Sequence, residues 1–381
     1  MNQAAASGWF QRYLLPGLAF KAVVIGGGYA TGRELAEFFM PAGPVGGLLG
    51  MLLAMLAWSA VCALTFAFAQ ATDAFDYRSF FRRLLGPAWP VFEVAYLLFM
   101  VLLLAVFGAA AGSLGAAAFG WPTLASTLLL VAAVGAVVAF GNRSVERLFK
   151  WAAFLLYGVY ALFLLLALAA FGDRIATAFA TSPPPRDWVA GGLTYASYNV
   201  IGAVAILPVA RHFAGRRDAL LAGAIAGPLA MLPALLFFVC MAAWSPGIAA
   251  ETLPSDFMLQ RLGVPLFHLL FQAMIFCALL ESGVGILHAL NERVAVAWRA
   301  RRGRPLPEAA RLGIAAALLL GSIFVADRYG LVALIAGGYR ALAWTLFVVY
   351  VLPLLVVGGG WLWRTRRASA PLPRNASGEP T

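Results

Sequence analysis

Ten successive apolar runs constrain what this chain can fold into. Each is roughly 20 residues long or more, enough for an α-helix to cross a hydrocarbon core of about 30 Å. The runs cover residues 14–39, 44–71, 88–118, 121–140, 149–172, 189–212, 218–244, 264–297, 309–326 and 330–363. Because 63% of the residues are hydrophobic and only 11% are charged, the sequence predicts an all-α polytopic membrane protein with ten transmembrane helices.

The basic residues are distributed unevenly between the predicted loops. With the N-terminus placed inside, most of the 27 lysine and arginine residues flank cytoplasmic helix ends. The exceptions are Arg174, Arg186, Arg261 and Arg328 outside, and Lys21, Arg33 and Arg340 within helices. This asymmetry predicts a plasma (inner) membrane protein with cytoplasmic termini. The net charge of +11 therefore reflects topology and lipid contact, and nucleic acid is not an expected partner.

Ten spans divide into two halves of five, and because five is odd the halves must have opposite orientations. This predicts a 5+5 inverted repeat in one transmembrane domain, residues 1–363, with repeats at about 14–172 and 189–363. Residues 364–381 are predicted to be a disordered cytoplasmic tail. The three cysteines show no paired or metal-type spacing, so no cofactor or metal site is predicted.

Two of the ten runs carry a break. A glycine-dense segment, Gly26 to Gly32, interrupts the first, and small and polar residues from Thr194 to Gly202 occupy the matching depth of the sixth. A membrane helix breaks its hydrogen bonding only where protein or a water-filled cavity satisfies the freed groups, so broken helices in matching positions indicate a transporter site. The alternative is that the glycines of the first run serve helix packing, through the motif Gly28-x-x-x-Gly32.

These segments resemble a known family. The Thr31-Gly32-Arg33-Glu34 step after the glycines, and Tyr198-Asn199 followed by Leu207-Pro208, are similar to signatures of the YkvI-like amino acid permeases. That family belongs to the amino acid–polyamine–organocation superfamily. The resemblance implies a LeuT-type fold with helices 1 and 6 broken, and secondary transport. Arg33 stands where the family pattern has glutamine.

The predicted substrate site lies where the two breaks meet. A substrate carboxylate would be held there by exposed backbone N–H groups, with Tyr198 and Asn199 as side-chain partners. The site residues are Gly26, Gly27, Gly28, Tyr29, Ala30, Thr31, Ser197, Tyr198, Asn199 and Gly202.

Ionisable residues at membrane depth are costly and therefore candidates for function. Glu281 and Ser282 lie near the middle of helix 8, in a stretch that resembles half of the sodium site of LeuT-type carriers. Glu281 could instead carry a proton, with Lys21 as its partner, and a nearby ammonium would repel sodium. The sequence favours protons over sodium. The alternative for Glu281 is a buried ion pair with a purely structural role. The alternative for Lys21 is that its side chain extends to the inner membrane interface.

A further charged group is predicted to form an external gate. Arg33, Glu34 and Glu37 cluster on the outer half of helix 1, and Arg340 lies on helix 10. We expect Glu34 or Glu37 to approach Arg340, as in the ion pair of LeuT-type carriers. A local Arg33–Glu37 pair is the alternative, because residues four apart share one helix face.

Taken with the absence of a nucleotide-binding segment, these features predict a secondary active transporter, an ion-coupled symporter for an amino acid or similar small solute. The expected partners are that solute, H+ or Na+, and the lipid bilayer. The alternative is a non-transporting sensor or receptor on the same fold. An enzyme is not expected, because no cluster of nucleophile and base is visible.

Overall fold

The chain is helical throughout the part described by the computed structural model, residues 8–139 and 142–368, and that part contains no strand. Within it, six helical stretches are long and apolar enough to cross a membrane: Arg33–Ala71, Tyr77–Phe119, Gly158–Ala180, Arg216–Ala242, Pro265–Ala295 and Glu308–Arg364. A shorter apolar helix covers Thr123–Val137. These helices make the chain an integral membrane protein. The count of ten spans stays a prediction.

The first apolar run is broken twice. It forms helices at Leu15–Val24, Gly27–Ala30 and Arg33–Phe38. The first ends at Ile25, whose ψ of 80° is not helical. The last is preceded by Gly32 in the left-handed conformation, with φ 77°, which a residue with a Cβ rarely adopts. Glycine therefore sets the direction of the third piece.

Regular helices follow the broken one. They cover Gly43–Ala71, Tyr77–Leu85, Trp89–Phe119, Thr123–Ala139 and Asn142–Ala180. The short second helix of this group has an N-cap, because Asp76 accepts hydrogen bonds from the N–H groups of Arg78 and Ser79. Such a cap satisfies donors that a helix start leaves open.

The sixth apolar run is also interrupted, first at Val200, inside the predicted segment Thr194 to Gly202, and again at Ile206, beyond it. A helix covers Trp188–Asn199, a short helix Ile201–Ala205, and a 3₁₀ segment Leu207–His212. The last begins with Pro208 in its first turn, and proline lacks the N–H that would continue the helix.

Six further α-helices, one 3₁₀ segment and three π-helical turns complete the description. They comprise Arg216–Ala242, the 3₁₀ segment Gly247–Ala250, Pro254–Leu262, Pro265–Arg302, Glu308–Ala333, Arg340–Leu346 and Gly359–Ala368, with π-helical turns at Leu334–Tyr339, Phe347–Val351 and Leu354–Gly358. Gly330 interrupts the helical backbone within Glu308–Ala333, with φ 72° and ψ 169°. The final helix reaches Ala368, and the rest of the predicted tail, 369–381, lies outside the described residues.

A close helix crossing joins Gly43–Ala71 to Arg216–Ala242. A Cβ at Gly223 would overlap the backbone of Ala63, and one at Gly227 would lie 3.0 Å from the nitrogen of Ser59. Ser59 Oγ donates to the carbonyl of Ala224 at 2.9 Å. Small residues allow this approach, and in a membrane close packing replaces the hydrophobic effect as the main source of helix association.

Candidate functional site

A cavity of about 420 Å³ lies between the broken helices. Its wall includes residues 22–26 at the first break, Tyr198 and Asn199 at the second, and one face each of Trp89–Phe119 and Pro265–Arg302. This volume falls within the range of about 300–1,000 Å³ typical of small-molecule sites. The wall is mostly aliphatic and aromatic, with few polar groups.

The structure brings only some of the predicted substrate-site residues to this wall. Gly26, Tyr198 and Asn199 line it. Gly27 and Gly28 are described only as the first residues of the short helix Gly27–Ala30. The remaining predicted residues are not among the described residues that line the cavity: Tyr29, Ala30, Thr31, Ser197 and Gly202.

Each of those five has another environment. Tyr29, Ala30 and Thr31 are buried in the protein, and the carbonyl of Thr31 accepts from the N–H of Ser255 at 3.0 Å. Ser197 Oγ donates to the carbonyl of Leu193 on its own helix at 2.7 Å. A Cβ at Gly202 would lie 3.0 Å from the ring of Phe20, so this glycine permits helix contact.

Glu34 connects the two broken helices. Its side chain is buried, with 5% of the residue exposed, and it lines the cavity. Tyr198 donates its hydroxyl hydrogen to Glu34 Oε2 at 2.7 Å. The ring of Tyr198 in turn packs on Tyr339, with 4.6 Å between ring centroids. Glu34, Tyr198 and Tyr339 therefore form one layer at the end of the cavity that is distant from the chain's N-terminus.

Arg33 binds the segment that connects Arg216–Ala242 to Pro254–Leu262. Its Nη1 donates to the carbonyls of Ala249 at 2.8 Å and Glu251 at 2.7 Å. Its Nη2 donates to Glu37 Oε2 at 2.7 Å. The guanidinium thus joins the first helix to the segment that precedes Pro254–Leu262, and we call this group of contacts the Arg33 clamp.

Glu37 lies near both Arg340, its predicted gate partner, and Arg33, the partner in the local alternative. The local pair with Arg33 is the shorter, and Arg340 Nη2 lies 3.9 Å from Glu37 Oε1. The Arg340 side chain is 60% exposed, so its contribution to stability is small. Glu34 faces the cavity and Tyr198 instead.

The predicted ion-coupling residues separate into two groups. Glu281 and Ser282 line the cavity, and Ser282 Oγ lies 3.9 Å from the position that a Cβ on Gly26 would occupy. Lys21 is half-buried on the helix Leu15–Val24 and is not among the lining residues.

Sequence reasoning missed the wall formed by Trp89–Phe119. Tyr96, Phe99, Met100, Leu103 and Phe107 line the cavity from this helix. Their spacing of three and four residues places them on one helix face, and this periodicity was the signal available. In a span that is apolar all round, however, the stripe does not differ in polarity from the lipid-facing side.

Metal ligands are sparse. Among the described residues, no three histidine, cysteine, aspartate or glutamate side chains are grouped closely enough to hold a metal ion. The polar groups available to a ligand in the cavity are the carboxyl groups of Glu34 and Glu281, the amide of Asn199, and the hydroxyls of its tyrosines and Ser282.

Comparison with known proteins identifies the fold. No protein-family model and no curated protein matches the chain. Among solved structures, MhsT in complex with L-phenylalanine is similar, with TM-score 0.52 and 18% identity over 92% of this chain and 87% of that one. The manganese transporter of Eremococcus coleocola, in a mutant form, is similar with TM-score 0.52 and 16% identity over 91% of this chain and 78% of that one. At this level of identity the likeness concerns the fold alone, and the chain shares the LeuT-type fold of these two structures.

Proposed function

We propose that this protein is a secondary active transporter that moves an amino acid or similar small solute by alternating access. The observation that carries the proposal is the cavity formed where two interrupted helices meet, because broken helices at membrane depth are typical of transporter binding sites. L-phenylalanine in MhsT has a size that such a cavity accommodates.

The proposal includes the ten-span topology, with two inverted repeats of five, cytoplasmic termini and insertion in the plasma (inner) membrane. The stretch Glu308–Arg364 supports a count of spans above the six apolar stretches, because it is long enough to cross the membrane twice. Its 57 residues would extend about 85 Å as one helix at 1.5 Å per residue, far more than one crossing requires. Gly330 divides it near the predicted boundary between helices 9 and 10.

The arrangement of contacts corresponds to an inward-facing state under this topology. Residues 22–26 and Ala205 line the cavity on the side of the N-terminus. On the opposite side, the Glu34–Tyr198 bond and the Arg33 clamp close the protein. Transport would require these contacts to open while the N-terminal side closes, as lid and gate motions do in other proteins.

Counterflow in proteoliposomes tests transport. Vesicles loaded with unlabelled solute are diluted into labelled L-phenylalanine, L-leucine or 2-phenylethylamine. We expect transient accumulation of at least one label, and its loss in Gly26→Leu, because the added side chain enters the cavity beside Phe107 and Ser282. Gly321→Ala is the control, since its Cβ would meet nothing within 4 Å. Saturable binding without counterflow would identify a sensor or receptor instead.

We also propose that protons drive this transport through Glu281. This carboxyl group lies at the cavity wall close to the first break, where solute and proton could influence each other. We expect uptake in sodium-free buffer when the outside is more acidic, and a flat pH profile in Glu281→Gln. Glu308→Gln, on the exposed start of another helix, should keep the normal profile. Uptake that requires sodium and does not respond to the pH gradient would show that sodium, and not the proton, is the coupling ion.

A further inference from the structure

Among the described residues that line the cavity, the charged side chains are all acidic. Glu34 and Glu281 both line it, and the described lining residues include no lysine, arginine or histidine. The rest of the wall is dominated by residues such as Phe99, Leu103 and Ile286. A carboxylate in surroundings of this kind is costly unless a cation or hydrogen-bond donors compensate its charge.

Two arginines adjacent to lining residues, Arg33 beside Glu34 and Arg293 on Tyr96, have other partners. Arg33 directly precedes Glu34 on the same short helix, Arg33–Phe38, but directs its guanidinium to the Ala249 and Glu251 carbonyls and to Glu37. Its charge is therefore shared with groups outside the cavity wall.

Arg293 lies behind the wall on the opposite side. It packs on the ring of Tyr96, with 3.9 Å from the guanidinium carbon to the ring centroid, and its Nη1 is 3.6 Å from Glu93 Oε1. Tyr96 separates it from the cavity, and Glu93 offsets its charge.

Among the described residues, a hydrogen bond stabilises the Glu34 carboxyl group. The hydroxyl of Tyr198 occupies Oε2, while a carboxylate has about four lone-pair sites for donors. Tyr198 and Tyr339 also present aromatic rings beside this carboxyl group. Aromatic faces attract cations, most strongly where water is excluded. A carboxylate next to two rings is thus suited to an ammonium group.

We propose that the cavity binds a small organic amine of net charge +1, with its ammonium group at Glu34 beside Tyr198 and Tyr339 and its apolar body against Phe99, Phe107 and their neighbours. This narrows the solute class and rests on the proposed function in taking the cavity as the substrate site. A zwitterionic amino acid adds a third carboxylate to a wall whose described residues include no basic side chain, and an anion lacks the ammonium altogether. Both therefore bind more weakly than the amine.

Three probes that share one aromatic body test the charge preference: 2-phenylethylamine, L-phenylalanine and 3-phenylpropionate. Binding to the full-length protein in detergent is measured by calorimetry at neutral pH. We expect the dissociation constant of the amine to be at least tenfold below that of phenylalanine, and no measurable binding of the anion. Phenylalanine or the anion binding as tightly as the amine, or no amine binding at millimolar concentration, would overturn the proposal.

A matched pair of variants locates the ammonium group. Glu34→Gln should weaken amine binding at least tenfold, whereas Glu37→Gln, on the same helix but outside the cavity wall, should change it less than threefold. Equal effects of the two would refute the assignment to Glu34. If Glu34→Gln does not fold, Tyr339→Leu is used in its place. It should weaken amine binding several-fold more than the control variant Tyr329→Leu, which changes an exposed tyrosine.

The proposal of transport and the proposal of an amine site are contradicted by different results. Amine that binds Glu34-dependently but shows no counterflow would contradict transport and leave the amine site standing. Counterflow of phenylalanine without counterflow or binding of the amine would contradict the amine site and leave transport standing.

Discussion

Removing the Arg33 clamp should release the segment that covers the cavity. Arg33 is 4% exposed, and two of its three bonds go to backbone carbonyls of that segment, at Ala249 and Glu251. We expect Arg33→Ala to leave the fold intact while lowering the free energy needed to open the segment locally. The amide of Ser255 is the most informative reporter, because it donates to the Thr31 carbonyl across the same contact.

The magnitude follows from the two bonds that opening would break. Hydrogen bonds involving a charged group contribute about 1.5–3 kcal/mol each, which gives about 3–6 kcal/mol for the two carbonyls. Both bonds are only partly buried, so the lower end applies, about 3 kcal/mol. Since 1.4 kcal/mol corresponds to a factor of ten, the exchange rate of the Ser255 amide should rise about 100-fold.

Hydrogen exchange read by mass spectrometry measures this in detergent or nanodiscs, on peptides that cover residues 246–258. Arg340→Ala is the control, because Arg340 is exposed and lies 3.9 Å from Glu37; it should change exchange less than threefold. An Arg33→Ala protein whose peptides exchange at the wild-type rate would refute the view that Arg33 holds this segment.

Three further perturbations test the packing and the cap. Tyr198→Phe removes the hydroxyl that donates to a buried carboxylate and should cost about 1.5–3 kcal/mol, seen as a lower thermal midpoint, whereas Tyr195→Phe should be near neutral because its hydroxyl has no partner among the described residues. Gly223→Ala forces a Cβ into neighbouring backbone and should cost about 1–3 kcal/mol or more, while Gly321→Ala, with open space around it, should be neutral or stabilising. Burial acts to raise the pKa of Asp76, but hydrogen bonds from Ser79 and Arg78 outweigh it, and the pKa lies below its ordinary value. The stabilisation by this N-cap is therefore fully present above pH about 4 and is lost as the pH falls further. Hydrogen exchange of the amides in residues 77–85 should report the loss.

Sequence reasoning located the first break because glycine has a direct conformational consequence. The first interruption, at Ile25, directly precedes the segment from Gly26 to Gly32, and the second lies within it, where Gly32 adopts the φ of 77° that glycine makes accessible. At the second break the prediction was less accurate. Small and polar residues from Thr194 onward stay helical to Asn199, and the side chains of Ser197 and Asn199 are satisfied within that helix by carbonyls four residues earlier.

The orientation of charged side chains could not be derived from the sequence. Glu34 and Glu37 lie on one short helix, and each was a candidate partner of Arg340. The conformation of Gly32 sets the rotation of that helix about its axis, and this rotation turns Glu34 towards Tyr198 and leaves Glu37 with the arginines. A pattern of residues specifies which positions share a face, but the direction of that face depends on tertiary packing.

The proposal of alternating access is tested most directly by asking from which side of the membrane the cavity can be reached. Ser282→Cys places a thiol at the wall beside the first break, in a background where Cys62, Cys240 and Cys277 are replaced by alanine. Membrane-impermeant maleimide is applied to right-side-out and inside-out vesicles, with buried Ser322→Cys as the unreactive control. Labelling of Ser282→Cys from both sides, with Arg33→Ala increasing the rate from outside, is the predicted result. Labelling from one side only, unchanged by Arg33→Ala, would contradict transport by alternating access.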